Sequence, residues 1–191
     1  AAKQRQSRTA IVEAARDLFY HQGYDATSYA DIAEQTGLGK GNIHYYFNAK
    51  EELLKAVAEH RVERIRGLLE EWSLDCGTPY DCLERFVAMF EQNADDLANY
   101  GCPMGTLNDE LAKNHRELQG STREMFDLFL RWLEARFRAI EPKAAARAHA
   151  EHLMIMAQGI SVVAHSYGDP ALARRQAESL REWLSAVCDK S

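Results

Sequence analysis

Residues 27–50 read TSYADIAEQTGLGKGNIHYYFNAK, and small and apolar residues stand in this stretch at spacings that suit two short, crossed helices. Where two helices cross closely, the first needs a small residue, which Ala33 supplies. Gly37 suits a turn position with positive φ, and Ile43 suits the buried side of the second helix. The stretch therefore predicts a helix-turn-helix whose second helix covers residues 40–46.

The outer side of that second helix carries polar and aromatic side chains. They are Lys40, Asn42, His44 and Tyr45. Such side chains contact phosphates and read base edges in the major groove, so the stretch favours a local DNA-binding surface. Of the two aromatic residues that follow, Phe47 is expected in the core, whereas Tyr46 suits either the core or the binding surface.

Charge is distributed unevenly along the 191 residues, whose formal net charge at pH 7 is −6. Residues 1–50 hold six basic and five acidic side chains, net +1, and residues 51–191 hold 17 and 24, net −7. This balance excludes a protein that coats nucleic acid over its whole surface. Any DNA contact is expected in the first quarter of the chain.

The sequence has no feature of a membrane or exported protein. No run approaches the roughly 18 apolar residues of a membrane span, and the stretch AAKQRQSRTA lacks the apolar core of a signal peptide. The four cysteines lack the spacing of a metal site, and without an export signal disulfides are not expected either. All four are therefore expected to be free thiols. We therefore expect a cytoplasmic protein with no membrane partner and no cofactor.

Apolar residues recur at intervals of three and four, and no segment alternates with a period of two. This periodicity predicts an all-α fold of about nine helices. Proline is favoured at the first helical position and marks four starts: Pro79, Pro103, Pro142 and Pro170. The first helix is expected to stop at Gly23, before the helix-turn-helix. The later helices are predicted at 50–72, 79–98, 103–113, 117–139, 143–167 and 170–187.

Residues 27–50 and the helix before them resemble the DNA-binding domain of the tetracycline-repressor (TetR) family, and the segment GLGKGNIHYYFNAKEEL is typical of it. The resemblance implies that Lys40, Gly41, Asn42 and His44 face base edges or backbone in the major groove and that Thr27, Tyr45, Tyr46 and Lys50 contact phosphates. A lysine in the first turn of a helix opposes the helix dipole, and a phosphate there would compensate for it. Helix polarity thus supports Lys50 as a phosphate contact, independently of the resemblance.

The resemblance also implies the architecture of the whole chain. A helix-turn-helix domain at 1–49 would precede a helical ligand-binding and dimerisation domain at 50–191. The last two helices would pair with those of a second copy in a four-helix bundle. Apolar stripes suited to that homodimer interface are His149, Leu153, Met156, Ile160 and Val163 on one helix and Leu180, Trp183 and Val187 on the other. Packing of both stripes inside one chain is the alternative.

A small-molecule effector would bind among the helices of the second domain. Its candidate contacts are Phe86, Met89, Phe90, Cys102, Met104, Phe126, Phe129, Leu130, Leu133 and Met156. Aromatic and methionine side chains at helical spacing form plain core more often than a pocket. Only part of this set is therefore expected to touch ligand.

Cys102 stands before Pro103 in the stretch GCPMGTLNDEL, at the predicted N-cap of a helix. A helix N-terminus favours the nucleophilic thiolate. The GC-start also resembles regulators of the TetR family that sense oxidants or electrophiles, so Cys102 is a candidate sensor. The alternative is a small buried cap without chemistry. His149, Glu151 and His152 have a spacing that is common by chance, so no metal site is predicted.

Three classes of function compete at this point. The favoured one is a repressor that binds a palindromic double-stranded DNA operator as a homodimer and is released by a small-molecule or electrophile effector. The alternative is an all-helical protein-interaction module without DNA binding. An enzyme built on Cys102 is not expected, because the sequence holds neither a nucleophile elbow nor paired carboxylates in a glycine-rich loop.

Overall fold

Ten α-helices form the chain in the computed structural model, which describes residues 2–140 and 143–188, with side chains from residue 4 onward except at 121, 143 and 144. The described ranges contain no strand, so the predicted all-α fold is confirmed. The helices are α1 (Ala2–Gln22), α2 (Tyr29–Thr36), α3 (Lys40–Tyr46), α4 (Lys50–Asp75), α5 (Pro79–Gln92), α6 (Ala94–Tyr100), α7 (Gly105–Asn114), α8 (Gln119–Phe137), α9 (Lys143–Tyr167) and α10 (Pro170–Cys188). None of the helices described could span a lipid bilayer.

Two helix starts predicted from proline are confirmed. Pro79 opens α5 after Thr78, whose hydroxyl accepts the backbone N–H of Asp81 at 3.1 Å while the Asp81 carboxylate accepts the Thr78 N–H at 2.9 Å. Pro170 opens α10, and the Asp169 carboxylate accepts a backbone N–H of its first turn at 2.8 Å. Each cap supplies partners for N–H groups that the helix itself leaves unpaired.

The prediction that Pro103 opens a helix is wrong. Gly101 ends α6 with a φ of 75°, residues 103 and 104 form a turn, and α7 begins only at Gly105. Because α7 begins three residues after Cys102, Cys102 is not a helix N-cap. The fourth predicted start, at Pro142, lies outside the described residues.

The prediction of a single helix at 79–98 is also wrong, because the helix is broken at Asn93, between α5 and α6. The Asn93 side chain donates its amide to the backbone oxygen of Met89 at 2.7 Å. Asparagine competes in this way for carbonyl groups that the helix would otherwise use. Apolar periodicity continues across the break and therefore did not reveal it.

Contacts divide the chain into two compact units. Unit 1 comprises the residues up to Arg64 and Thr106–Met125. Its buried core draws on α1 to α4 and on α7, and includes Ile11, Phe19, Tyr24, Ile32, Ile43, Phe47, Leu53, Val57, Leu107 and Leu111. This unit is larger than the predicted domain at 1–49, since it takes in part of α4 and a distant segment. The domain boundary at residue 49 stays a prediction.

Unit 2 comprises Ile65–Gly105 and the residues from Phe126 onward. Within it, α10 packs on α5, α6 and α9. The Arg181 guanidinium on α10 bonds Glu84 at 2.7 Å and Glu178 at 2.8 Å, and also bonds Glu91. These carboxylates raise the pKa of Arg181, with the bond to Glu84 contributing most. Arg181 therefore stays charged, and its ion pairs with Glu84 and Glu91 hold α10 against α5.

Candidate nucleic-acid interface and ligand region

The helix-turn-helix of unit 1 has the geometry that its sequence predicts. Gly37 ends α2 in the left-handed region with a φ of 68°. Ile32 of α2 and Ile43 of α3 are fully buried, and Ala33 packs against the same core. Phe47 is also buried, as expected for a core aromatic residue. These contacts fix which side of α3 faces solvent.

The outer side of α3 holds most of the predicted DNA-contacting residues. Exposed positions are Lys40, Gly41, Asn42, His44 and Tyr45. The Tyr45 side chain is 70% exposed, whereas Tyr46 is half-buried and packs against the core, with its ring centroid 5.1 Å from that of Tyr45. The His44 ring lies 4.7 Å from the ring of Tyr29, whose hydroxyl donates to the backbone oxygen of Phe47 at 3.1 Å. α3 thus presents a polar surface on an apolar base.

Thr27 and Lys50, the predicted phosphate contacts outside α3, already have partners within unit 1. Thr27 is 2% exposed, and its hydroxyl donates to the Gly23 oxygen at 2.7 Å. The Lys50 ammonium donates to the Asp25 oxygen at 3.3 Å and lies 4.5 Å from the ring centroid of Tyr24. These partners compensate for a lysine in the first turn of α4, so helix polarity does not by itself require a phosphate there.

A polar clamp, formed by Glu110, Asn114 and His115, holds the turn between α1 and α2, and sequence reasoning missed it. The two carboxylate oxygens of Glu110 accept the backbone N–H groups of Tyr24 at 2.8 Å and Asp25 at 2.7 Å. The Asp25 carboxylate is bonded by Asn114 at 2.8 Å and by His115 at 2.9 Å. The bond to His115 is the largest cause that lowers the pKa of Asp25. No local pattern could have revealed contacts between residues so far apart in sequence.

In unit 2, most of the predicted ligand contacts lie in the core. Phe86, Phe90, Cys102, Met104, Phe129 and Leu133 are buried, and Met89, Phe126 and Leu130 are half-buried. The Phe86 ring lies 5.4 Å from that of Phe90 and 5.7 Å from that of Phe129. Met156 differs from the rest, since it lies on an exposed side of α9. A plain aromatic core explains the buried members without a ligand.

Two buried polar atoms on α9 lack hydrogen-bond partners among the described residues: Nε2 of Gln158 and the hydroxyl of Ser161. Ser161 is 1% exposed, and a spacing of three places both residues on one side of α9. The Gln158 amide also lies close to the turn before α7, because a Cβ on Gly105 would stand 3.0 Å from its Oε1 and 3.5 Å from the Cβ of Cys102. Sequence reasoning missed this polar pair.

The predicted dimer residues divide into buried and accessible groups. Leu153, Ile160 and Leu180 are buried within their own chain, His149, Trp183 and Val187 are half-buried, and Val163 is exposed. Trp183 packs beside the ring of His152 at 4.7 Å and that of His149 at 5.8 Å. The described residues contain no cluster of three or more side chains suited to a metal.

A different apolar surface is exposed on α9. It consists of Ile155, Met156, Val162, Val163 and Tyr167, and we call it the α9 apolar face. Ile155 is 67% exposed and Val162 is 60% exposed. The spacing of seven between them places both on one side of the helix.

Comparison with known proteins agrees with this geometry. Residues 11–57 match the model of bacterial regulatory proteins of the tetR family. An uncharacterized HTH-type transcriptional regulator in the lacX 3' region of Lactococcus lactis subsp. lactis is 30% identical over 127 residues, or 64% of this chain. The chain spans 63% of the length of that relative.

Solved structures resemble nearly the whole chain. A TetR transcriptional regulator from Chloroflexus aurantiacus superposes with a TM-score of 0.84 at 22% identity, covering 97% of each chain. The transcriptional regulator FadR from Bacillus subtilis, solved with stearoyl-CoA, has a TM-score of 0.72 at 19% identity and covers 92% of this chain and 96% of its own. Both of these proteins are transcriptional regulators. Residues 11–57 of this chain are thus similar to the tetR family of bacterial regulatory proteins, and the chain as a whole has the fold of TetR regulators.

Proposed function

We propose that this protein is a sequence-specific DNA-binding regulator of transcription. The observation that carries the proposal is the outer side of α3, where Lys40, Asn42 and Tyr45 are exposed together above a buried apolar base. Lysine and tyrosine suit phosphates, and an asparagine amide can form paired hydrogen bonds with adenine. A recognition helix of this kind fits the major groove of double-stranded DNA.

The regulator acts as a homodimer through the α9 apolar face. Large exposed apolar side chains in a row favour burial against a partner, and a second copy brings an identical surface. A two-fold dimer would present two recognition helices to half-sites about 34–36 Å apart, which requires a palindromic operator. Met156 and Val163 of the predicted interface belong to this face, whereas Leu153, Ile160 and Leu180 are buried within their own chain.

A small-molecule effector releases the protein from DNA, and we propose that Gln158 and Ser161 anchor it. Their unpaired atoms can both donate hydrogen bonds, so they suit an effector with a carbonyl or carboxylate oxygen. Leaving a buried polar atom unpaired costs about 1–3 kcal/mol, which an accepting ligand would offset. FadR was solved with stearoyl-CoA, and an acyl chain with such an oxygen is a suitable first probe.

Cys102 is the proposed point of response to electrophiles. Its closeness to Gly105 places any adduct beside the start of α7. Operator release by N-ethylmaleimide that persists in Cys188→Ser and disappears in Cys102→Ser would support this role. Release that persists in Cys102→Ser would reject it.

Operator selection from random duplexes tests the DNA-binding proposal. We expect an enriched palindrome whose affinity, measured by fluorescence anisotropy, falls steeply with salt because phosphate contacts release counterions. The double variant Lys40→Ala/Tyr45→Ala should lose this binding, and Lys113→Ala, which removes an exposed lysine of unit 1 outside α3, should keep it. Absence of any enriched sequence at low salt would instead favour the helical interaction module. A promoter fusion then separates repression from activation.

Effector binding is tested by thermal shift and operator release with palmitate and stearoyl-CoA. Substituting Gln158→Leu and Ser161→Ala together should weaken binding of the active compound by roughly 10-fold or more, as expected for the loss of two hydrogen bonds. Ser166→Ala, at an exposed position of the same helix, serves as the control. Equal affinity in the double variant would show that the polar pair does not bind the effector.

A further inference from the structure

Two cysteines of unit 2 meet where α4 ends and α5 begins. The backbone N–H of Cys76 donates to the carbonyl oxygen of Trp72 at 3.0 Å, and the thiol of Cys82 lies 3.8 Å from that same oxygen. The two cysteines thus meet at one carbonyl oxygen, and the Cys76 side chain lies near enough to contribute to the raised pKa of Cys82. Both side chains are thiols and no disulfide joins them in this structure. Their contact depends on the turn between the two helices and is not visible in their spacing of six residues.

The two thiols differ in access to solvent. Cys82 is 3% exposed, whereas Cys76 is partly exposed. Burial, followed by the neighbouring Cys76 side chain, raises the pKa of Cys82 to about 11, while the nearby Arg136 guanidinium acts in the opposite direction. Cys82 is therefore the weaker attacking group at neutral pH, and a dissolved oxidant reaches Cys76 first.

We propose that Cys76 and Cys82 form a redox-active pair that closes to an intramolecular disulfide when the protein meets a hydroperoxide. The Cys76 thiolate attacks the peroxide oxygen, the O–O bond breaks, and Cys76 becomes a sulfenic acid while one alcohol or water molecule leaves. The Cys82 sulfur then attacks the sulfenic sulfur, the S–O bond breaks, and the sulfenic OH group leaves with the Cys82 proton as one water molecule. Two thiols are oxidised by two electrons and one peroxide bond is reduced.

Contact between the two side chains before oxidation is what favours this outcome over other thiol chemistry. A disulfide needs β-carbons about 3.5–4.5 Å apart. Two cysteines that meet at the same carbonyl oxygen can approach that distance with little movement of the backbone. The Arg136 guanidinium stabilises negative charge beside Cys82 during attack. A small dithiol such as dithiothreitol reverses the reaction through a mixed disulfide at the accessible Cys76.

The test follows the thiols by mass spectrometry and does not depend on DNA binding. Reduced full-length protein is treated with hydrogen peroxide, alkylated with N-ethylmaleimide and digested with trypsin. Cleavage after Arg66 and Arg85 leaves both cysteines in one peptide, residues 67–85. We expect that peptide to escape alkylation and to weigh two hydrogen masses less than its reduced form, in a chain that stays monomeric on a non-reducing denaturing gel. Dithiothreitol should restore alkylation of both thiols.

Single substitutions locate the reaction. Cys76→Ser and Cys82→Ser should each abolish the light peptide, and Cys102→Ser and Cys188→Ser should leave it unchanged. Because the wild-type peptide is read directly, a variant that fails to fold does not remove the test. The proposal is overturned if peroxide leaves Cys76 and Cys82 alkylatable, stops at a sulfinic acid on one of them, or links two chains through Cys188.

Discussion

The outer side of α3 and the α9 apolar face are both exposed, but their chemistry differs. On α3, the exposed side chains include Lys40, Asn42 and Tyr45, which carry groups that bond water or phosphate. On α9, Ile155 and Val162 expose only hydrocarbon. A polar surface is stable in water without a partner, whereas an apolar one gains about 25 cal/mol for each Å² that it buries. The first surface therefore suits reversible binding to DNA, and the second suits a lasting contact between subunits.

This difference predicts opposite responses to salt. Added salt competes with contacts between lysine and phosphate, so binding through α3 should weaken. It does not compete with apolar contacts, so association through α9 should hold or strengthen. Measuring operator binding and subunit association over one salt series would compare the two surfaces under the same conditions.

The largest effect is expected from Val162→Glu on the α9 apolar face. Burying an unpaired carboxylate in a subunit interface costs about 3–5 kcal/mol. The dissociation constant of the dimer should therefore rise by about 100-fold or more. Sedimentation equilibrium measures the change. Ala135→Glu, which adds the same charge at an exposed position of α8, should associate as the wild type does. Unchanged association of Val162→Glu would mean that this face is not the interface.

A smaller effect is expected from Asn42→Ala on α3. Loss of one base contact should cost about 1–3 kcal/mol for each half-site and relax specificity at one position of the operator. Lys40→Ala should instead weaken all sequences alike and reduce the salt slope by about one for each half-site. Anisotropy titrations on the selected operator and on single-base variants distinguish these outcomes. If both variants lost affinity without any change in sequence preference, α3 would contact only the backbone of DNA.

The clamp of Glu110, Asn114 and His115 holds the turn before α2 in the same unit as α3. Glu110→Ala removes the acceptor of two backbone N–H groups and should lower the free energy of unfolding by about 1–2 kcal/mol. For a chain of this size that corresponds to a Tm lower by about 2–8 °C. Glu117→Ala, at an exposed position of the same unit, is the control and should melt with the wild type. Equal melting of the two variants would show that the clamp contributes nothing to stability.

The smallest effect concerns the acid stability of the same turn. The pKa of Asp25 is lowered in the folded state, chiefly by its hydrogen bond with His115, so its carboxylate stabilises the fold above the unfolded pKa of about 3.9. That contribution is lost as the pH falls through the folded pKa. Between pH 5 and pH 3, the Tm of Asp25→Asn should therefore fall less than the Tm of the wild type. The difference should be roughly a degree, because the Asp25 carboxylate is exposed and screened by solvent. A matched Asp109→Asn variant should follow the wild type.

Local patterns were enough to predict much of this protein. The small residue at Ala33, the positive φ at Gly37 and the buried Ile43 each follow from steric demands within a few residues, and the structure confirms all three. The break at Asn93 was not predicted, because a side chain that bonds its own helix leaves apolar periodicity intact.

The sides of α9 show where sequence reasoning stops. Apolar residues occur nearly all round this helix, so its pattern does not say which of them meet α10 and which meet solvent. The structure buries Leu153 and Ile160 and exposes Ile155 and Val162, because packing against α6 and α10 selects one side.

The sequence by itself determined the all-helical class, the helix-turn-helix and the polar side of α3, because each depends on neighbours within one or two turns of helix. Tertiary structure alone decided the clamp of Glu110 on the turn at Tyr24, the unpaired atoms of Gln158 and Ser161, and the contact between Cys76 and Cys82. The physical reason is that these features require separate helices to meet, and the direction in which packed helices meet is set by the whole core.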